Sequence, residues 1–224
     1  MELIQLTGQC DSHIHYLTDN TGIHKELQAP WLNLVRAAKS DGIEIKIASG
    51  FRSFERQASI WNRKFTGELR VNDLQGQKVN ISALSDYEKI KAILLYSALP
   101  GASRHHWGTD IDVYSPSLLP PDQKLQLEPW EYEKPGYFYP LSHWLNKHAK
   151  TLGFYQPYKV FKNGVAPEPW HLSYQPLANK YLKLLTLSGL EAHISTSEIL
   201  GKSTILKNLP EIYTQYIKNI TEYS

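Results

Sequence analysis

Apolar positions change period along the chain, and each change marks an element. Leu27, Trp31, Leu34, Val35 and Ala38 recur at helical spacing, with Pro30 where a first turn tolerates it. A helix is therefore predicted over 28–40, stopped by Asp41-Gly42. Ile43, Ile45 and Ile47 then alternate with Glu44 and Lys46, the pattern of a half-buried strand over 43–49. Ser53 stands ready to cap a helix carrying Ile60, Trp61 and Phe65. Residues 66–82 are polar and aperiodic, and read as a loop or short hairpin. Ser85-Asp86-Tyr87-Glu88 is a capping-box pattern that opens a helix running to about Ser97. Thr109, Ile111 and Val113 alternate with Asp110, Asp112 and Tyr114, so a strand over 109–114 puts both aspartates on one face.

The second half is less regular. A Pro-rich passage from Pro116 to Pro140 is long for a plain connection, and reads either as a loop over a cleft or as a surface insertion. A helix is expected over 140–151, with Leu141, Trp144, Leu145 and Leu152 along its stripe; its histidines, His143 and His148, read as surface or packed residues. Strands over 154–161 and 170–174, joined by Lys162-Asn163-Gly164, form an expected hairpin. Beyond Pro176 the pattern is helical, with a short helix from Ser197 and a last one from Pro210 to Tyr223. The expected organisation is one domain over 1–187, its core at about 24–185, with 188–224 as a helical extension packed on it. Residues 1–23 are polar and mixed; His13 and His15 read as part of a surface or partly buried strand.

Composition narrows the class. The 224 residues include 42% hydrophobic and 21% charged side chains, ordinary for one globular domain. The net charge is +2 and the basic residues are scattered, so no nucleic-acid footprint is present. Cys10 is the single cysteine, which excludes an internal disulfide and a cysteine-built zinc site. No basic, then apolar, leader is visible, and no apolar run approaches the ~20 residues of a membrane span. The expectation is a soluble, cytoplasmic protein unless a non-standard route or lysis releases it. The oligomeric state is left open.

Chemistry concentrates in two short stretches. Ser103-Arg104-His105-His106-Trp107-Gly108-Thr109-Asp110-Ile111-Asp112 places imidazoles at a turn and carboxylates in the strand behind it. Glu168-Pro169-Trp170-His171 adds a carboxylate and an imidazole three positions apart across a proline. Together they offer a ligand set for an open zinc site plus a base. Spacing alone does not choose between His105 and His106. A third element, Ser49-Gly50-Phe51-Arg52-Ser53, puts Arg52 at a strand end before a helix, a place suited equally to a substrate contact and to a solvated arginine.

These residues resemble a known family. Ser103-x-His105-x-x-Gly108-x-x-x-Asp112, Glu168-Pro169-Trp170-His171 and Ser49-Gly50-Phe51-Arg52-Ser53 look like the three signatures of VanY-type zinc D,D-carboxypeptidases, in the family's order, over about residues 24–185. The resemblance implies an α+β fold, a small antiparallel sheet with packed helices as in the hedgehog-like D,D-peptidases. It implies zinc held by His105, Asp112 and His171, with Glu168 as general base. Arg52 would face the substrate's C-terminal carboxylate or help hold the reacting carbonyl, and Ser103 and Gln57 would contact substrate. The implied reaction is hydrolysis of a peptide bond in peptidoglycan stem peptides, above all removal of a C-terminal D-Ala. An endopeptidase or dipeptidase acting on muropeptides, and a zinc-binding module without catalysis, are the competing readings. Asp110 departs from the family, which commonly has a small residue there. It is read either as a carboxylate orienting a ligand imidazole or as a solvent-facing residue beside the site.

Overall fold

The computed structural model describes residues 1–223. The chain opens with a single turn, α1 (Leu3–Leu6), and a hairpin of β1 (Ile14–Thr18) and β2 (Thr21–His24). Helix α2 (Gln28–Ser40), strand β3 (Lys46–Ser49) and helix α3 (Phe54–Phe65) follow, then α4 (Asp86–Leu94) and β4 (Asp110–Tyr114). The short α5 (Pro129–Tyr132) and α6 (Tyr139–His148) lead to β5 (Phe154–Tyr155) and β6 (His171–Tyr174). Four helices close the chain: α7 (Gln175–Leu184), α8 (Leu187–Thr196), α9 (Lys202–Lys207) and α10 (Leu209–Ile212), the last running into a π-helical turn, Tyr213–Lys218.

The expected α+β architecture is present. Strands β3, β4, β6 and β5 form an antiparallel sheet in that order. Alternation along β4 and β6 sorts their side chains by face. Ile111, Val113 and Leu172 join Leu34, Ala38, Leu141, Trp144 and Leu145 of α2 and α6 in one apolar cluster. The opposite face carries Asp110, Asp112, His171 and Ser173. The helix starts are chemically specified: Ser53 Oγ accepts from Arg56 N, and Ser85 and Glu88 form the reciprocal capping box.

Three expectations need correction. The strand expected over 154–161 ends at Tyr155, two residues before Pro157, which cannot donate to a ladder. Residues 156–170 instead form a loop tied to distant parts: Ala166 N donates to Leu95 O and Thr221 N to Pro157 O. The helix expected from Ser197 begins only at Lys202, and the last helix does not run unbroken from Pro210 to Tyr223. The segment 188–224 packs on the rest of the domain through a shared core. Leu190, Ile194, Ile205, Leu209 and Ile212 share one core cluster with Trp61, Ile90, Leu94 and Trp107. Residues 1–23 also belong to the packed body, since Leu6 O accepts from the Trp107 indole and Gly8 O from Phe54 N.

Candidate active site

Asp112 sits directly opposite His171 across the β4–β6 ladder, and Ser49 lies opposite Asp112 on its other side. The sheet register alone therefore brings the ends of all three sequence motifs together. His105 arrives by another route. Arg104–Trp107 forms a 3-10 turn, and Gly108 leaves it with φ 66, a left-handed conformation suited to glycine. A Cβ there would stand 2.5 Å from Ile14 Cδ1 and 2.7 Å from His24 N. This turn folds the His105 imidazole back over the strand face that holds Asp112.

His105 Nε2 stands 3.3 Å from Asp112 Oδ2, and His171 Nδ1 stands 3.2 Å from Asp112 Oδ1. The three ligand atoms lie within 4.8 Å of one another. Tetrahedral ligands ~2 Å from zinc are themselves about 3.3 Å apart, so the spacing fits a metal ion. Two further observations support the fit. Asp112 Oδ1 is buried, and its approach to His171 does not have hydrogen-bonding alignment, so the oxygen has no hydrogen-bond partner. The imidazoles also have assigned tautomers. His105 Nδ1 donates to Gly50 O at 2.9 Å and His171 Nε2 donates to Asp110 Oδ1 at 3.1 Å, because those partners only accept. The lone pairs of His105 Nε2 and His171 Nδ1 are thus left facing Asp112. Burial opposes ionisation of Asp112, but positive charge on the side of His105 and His171, the charge a bound metal ion would supply, outweighs it and holds the carboxyl well below the usual range.

His106 is resolved by the same accounting. It is fully buried, its Nδ1 donates to Arg52 O, and its Nε2 accepts from Gly101 N. Both nitrogens are occupied, so it is a strut between loops. His13 donates to His106 O and His15 is exposed on the hairpin; neither joins the ligand cluster.

Asp110 is completely buried, which excludes the solvent-facing reading. It accepts from His171 Nε2, from Thr109 Oγ1 at 2.8 Å and from Arg104 Nε at 2.7 Å. Burial works against its charge, yet Arg104 more than compensates and its carboxyl is held at about 2. Arg104 also donates to Ser173 Oγ at 2.7 Å and to Tyr155 Oη at 3.2 Å. An Arg104–Asp110–His171 chain thus runs beneath the ligand cluster. Nothing in the local spacing singles out Arg104. Its signal was indirect: a buried aspartate on an apolar strand requires a counter-charge, and the adjacent arginine was available.

Glu168 and His171 are brought together by a turn in which His171 N donates to Glu168 O at 3.0 Å. Glu168 Oε2 ends 3.3 Å from His171 Nδ1, and Glu168 lines a cavity of about 360 Å³. Arg52, Ser103 and Glu168 all line this cavity, beside Tyr158, whose ring centroid lies 5.1 Å from that of His171. Ser103 Oγ is buried without a hydrogen-bond partner, as an acceptor or donor reserved for a ligand would be. Arg52 Nη2 donates to Ser49 Oγ at 3.0 Å and Nη1 to Gln57 Oε1 at 2.8 Å. Gln57 does not line the cavity. It is buried behind Arg52, its amide also donating to Ala98 O at 2.7 Å, so its place is that of a support. The Pro-rich passage contributes Gln126, Leu127 and Glu128 to the cavity wall. It is held there by the buried Glu131 carboxylate, which accepts from the backbone N–H groups of Gln126 and Glu128.

A family model described as VanY, D-alanyl-D-alanine carboxypeptidase, matches residues 20–177. A protein of Haemophilus influenzae, itself uncharacterized, is 41% identical over 121 residues, spanning 53% of this chain and 92% of that one. A D-alanyl-D-alanine carboxypeptidase of Enterococcus faecalis is 23% identical over 172 residues, 75% of this chain and 54% of that protein. Among solved structures, a vancomycin-resistance D,D-pentapeptidase VanY point mutant in complex with Zn(II) aligns with TM-score 0.54 and 23% identity, covering 81% of this chain and 90% of that one. VanYB in complex with D-Alanine-D-Alanine aligns with TM-score 0.54 and 23% identity, covering 85% and 92%.

Proposed function

This chain belongs to the VanY D-alanyl-D-alanine carboxypeptidase family, and from that premise we propose that it removes the C-terminal D-Ala from peptidoglycan stem peptides, with His105, Asp112 and His171 holding a zinc ion. The observation that carries the reading is the convergence of those three side chains on the rim of a cavity that Glu168 and Arg52 also line. Zinc bound there supplies Lewis acidity, acidifying water and polarising the scissile carbonyl.

The protein's own residues do the rest. Glu168 accepts the proton of the attacking water as the new C–O bond forms. It then delivers that proton to the leaving amine nitrogen as the C–N bond breaks. Arg52 donates into the cavity towards the carbonyl oxygen or the terminal carboxylate, its guanidinium steadied by Ser49 and Gln57. Ser103 Oγ hydrogen-bonds the peptide backbone. Gly50 O and Asp110 keep the two imidazoles in the tautomers that binding requires.

The wall formed by Gln126, Leu127 and Glu128 favours a short peptide end over cross-linked wall, and so supports a carboxypeptidase over an endopeptidase. Mass spectrometry of a stem pentapeptide incubated with the protein tests this. Loss of one D-Ala, abolished by a chelator and restored by zinc, is the expected result. Cleavage inside the peptide instead would transfer the site to the endopeptidase reading, and an unaltered peptide would remove both. Among the described residues no helix is long and apolar enough to cross a membrane.

A further inference from the structure

One cation in the cavity is not used by the chemistry proposed above. Lys64 lies on α3, four residues beyond Ile60, so the two share a helix face; both line the cavity. Its ammonium donates to Ser97 Oγ at 2.6 Å, a neutral hydroxyl that also lines the cavity. An ammonium carries three donors, and this contact satisfies one. Among the described residues no carboxylate comes within 4.0 Å of Lys64. Burial pushes its ammonium below the ordinary lysine range, and Glu168 and Glu128 oppose that only from beyond ion-pair distance. The other cations that line the cavity have more of their donors engaged: Arg52 donates to Ser49 Oγ and Gln57 Oε1. Arg104 pairs with Asp110, and Arg70 donates to Asn72 Oδ1 and Gly76 O. A half-buried ammonium with spare donors on the wall of an open cavity is a site for an anion.

We propose that Lys64 is the counter-ion for a carboxylate of the bound peptide, and so determines which peptides the site accepts. The proposal rests on the peptidase reading and deepens it. Two sources offer the same chemistry: the free C-terminal carboxylate of the leaving residue, and an internal carboxylate upstream of the scissile bond. If the first is the ligand, Lys64 holds the terminus and leaves Arg52 for the carbonyl oxygen. That division would make a free chain end a requirement of the site.

Calorimetric binding distinguishes the sources. The zinc-loaded Glu168→Gln protein, which arrests turnover, is titrated with a stem pentapeptide, with its C-terminal carboxamide, and with the peptide whose internal carboxylates are carboxamides. Adding Lys64→Gln is expected to weaken the free-acid peptide roughly ten- to a hundred-fold, the loss of one charge-assisted hydrogen bond. That loss disappears with the terminal carboxamide if the chain end is the ligand, and with the internal carboxamides if the upstream group is. Either result supports the proposal. Equal weakening of all three peptides, no weakening, or no binding of any peptide overturns it. Should Lys64→Gln fail to fold, Lys64→Met, which keeps the length of the side chain without its charge, takes its place in the same three titrations and is judged by the same outcomes. Turnover by the unsubstituted protein is read separately, so absence of D-Ala release would remove the peptidase reading and leave the binding result to judge Lys64.

Discussion

At Asp110 a carboxylate is buried between an imidazole and a guanidinium, and the consequences of removing its charge can be separated. Asp110→Asn leaves Arg104 buried without a counter-ion, which is expected to cost about 3–5 kcal/mol in denaturant unfolding. It also takes the anionic acceptor from His171 Nε2, so zinc affinity measured by chelator competition should fall ~10–100-fold. An unchanged zinc affinity would show that Asp110 serves Arg104 and the fold only. Glu168 presents the opposite profile. It lines the cavity and is not one of the three clustered ligand residues. Glu168→Gln should lower D-Ala release by roughly 10²–10⁴-fold while zinc content by metal analysis stays the same. His171→Ala, by contrast, should lose the metal, and full occupancy would contradict the ligand set.

At the scale of elements, the site is a junction of turns, and close backbone approach holds it. Gly50 carries the carbonyl that orients His105, and a Cβ at that position would stand 2.2 Å from Gly22 O. Phe51 N donates to the same Gly22 carbonyl, and Arg52 N to His105 O. The β1–β2 hairpin, the Arg52 loop and the His105 turn are therefore one unit. Gly50→Ala must push the hairpin away from the loop, so both the melting temperature and D-Ala release should drop. A drop in stability with zinc affinity and turnover intact would show that the hairpin is separable from the site. The Glu168–His171 turn is simpler, because a proline and one backbone hydrogen bond set it locally.

For the whole molecule, the two ends of the chain close around the middle. Tyr216 and Ile217, close to the C-terminus, are buried in the helical core and line the cavity. Deleting 188–224 would uncover Trp61, whose indole donates to Leu200 O, and Ile90, which lies beside Gly201, both at zero exposure in the folded chain. Burial of one such side chain contributes ~1.5–3 kcal/mol, so the loss of several is comparable with the whole ~5–15 kcal/mol margin of stability. The truncated chain is expected to lose its near-UV circular dichroism. A cooperative, zinc-binding fragment ending at 187 would show instead that this segment is an independent extension.

What the sequence determined by itself was local. The cap at Ser53, the capping box at Ser85, the helix over 28–40 and the alternation of Asp110 and Asp112 with apolar residues depend on side chains a few positions apart, and the structure has each of them. The α+β class is what the resemblance to the VanY-type enzymes implies, and the strand and helix periods along the chain agree with it. The tertiary structure decided what depends on distant neighbours. The pattern could not separate His105 from His106; only the carbonyls of Gly50 and Arg52 do, by leaving one imidazole a lone pair towards Asp112 and occupying both nitrogens of the other. Asp110 became a buried partner of His171, Gln57 a support for Arg52, and 188–224 a wall of the core for the same reason. A side chain's role is set by what desolvates and pairs it, and those groups come from across the fold.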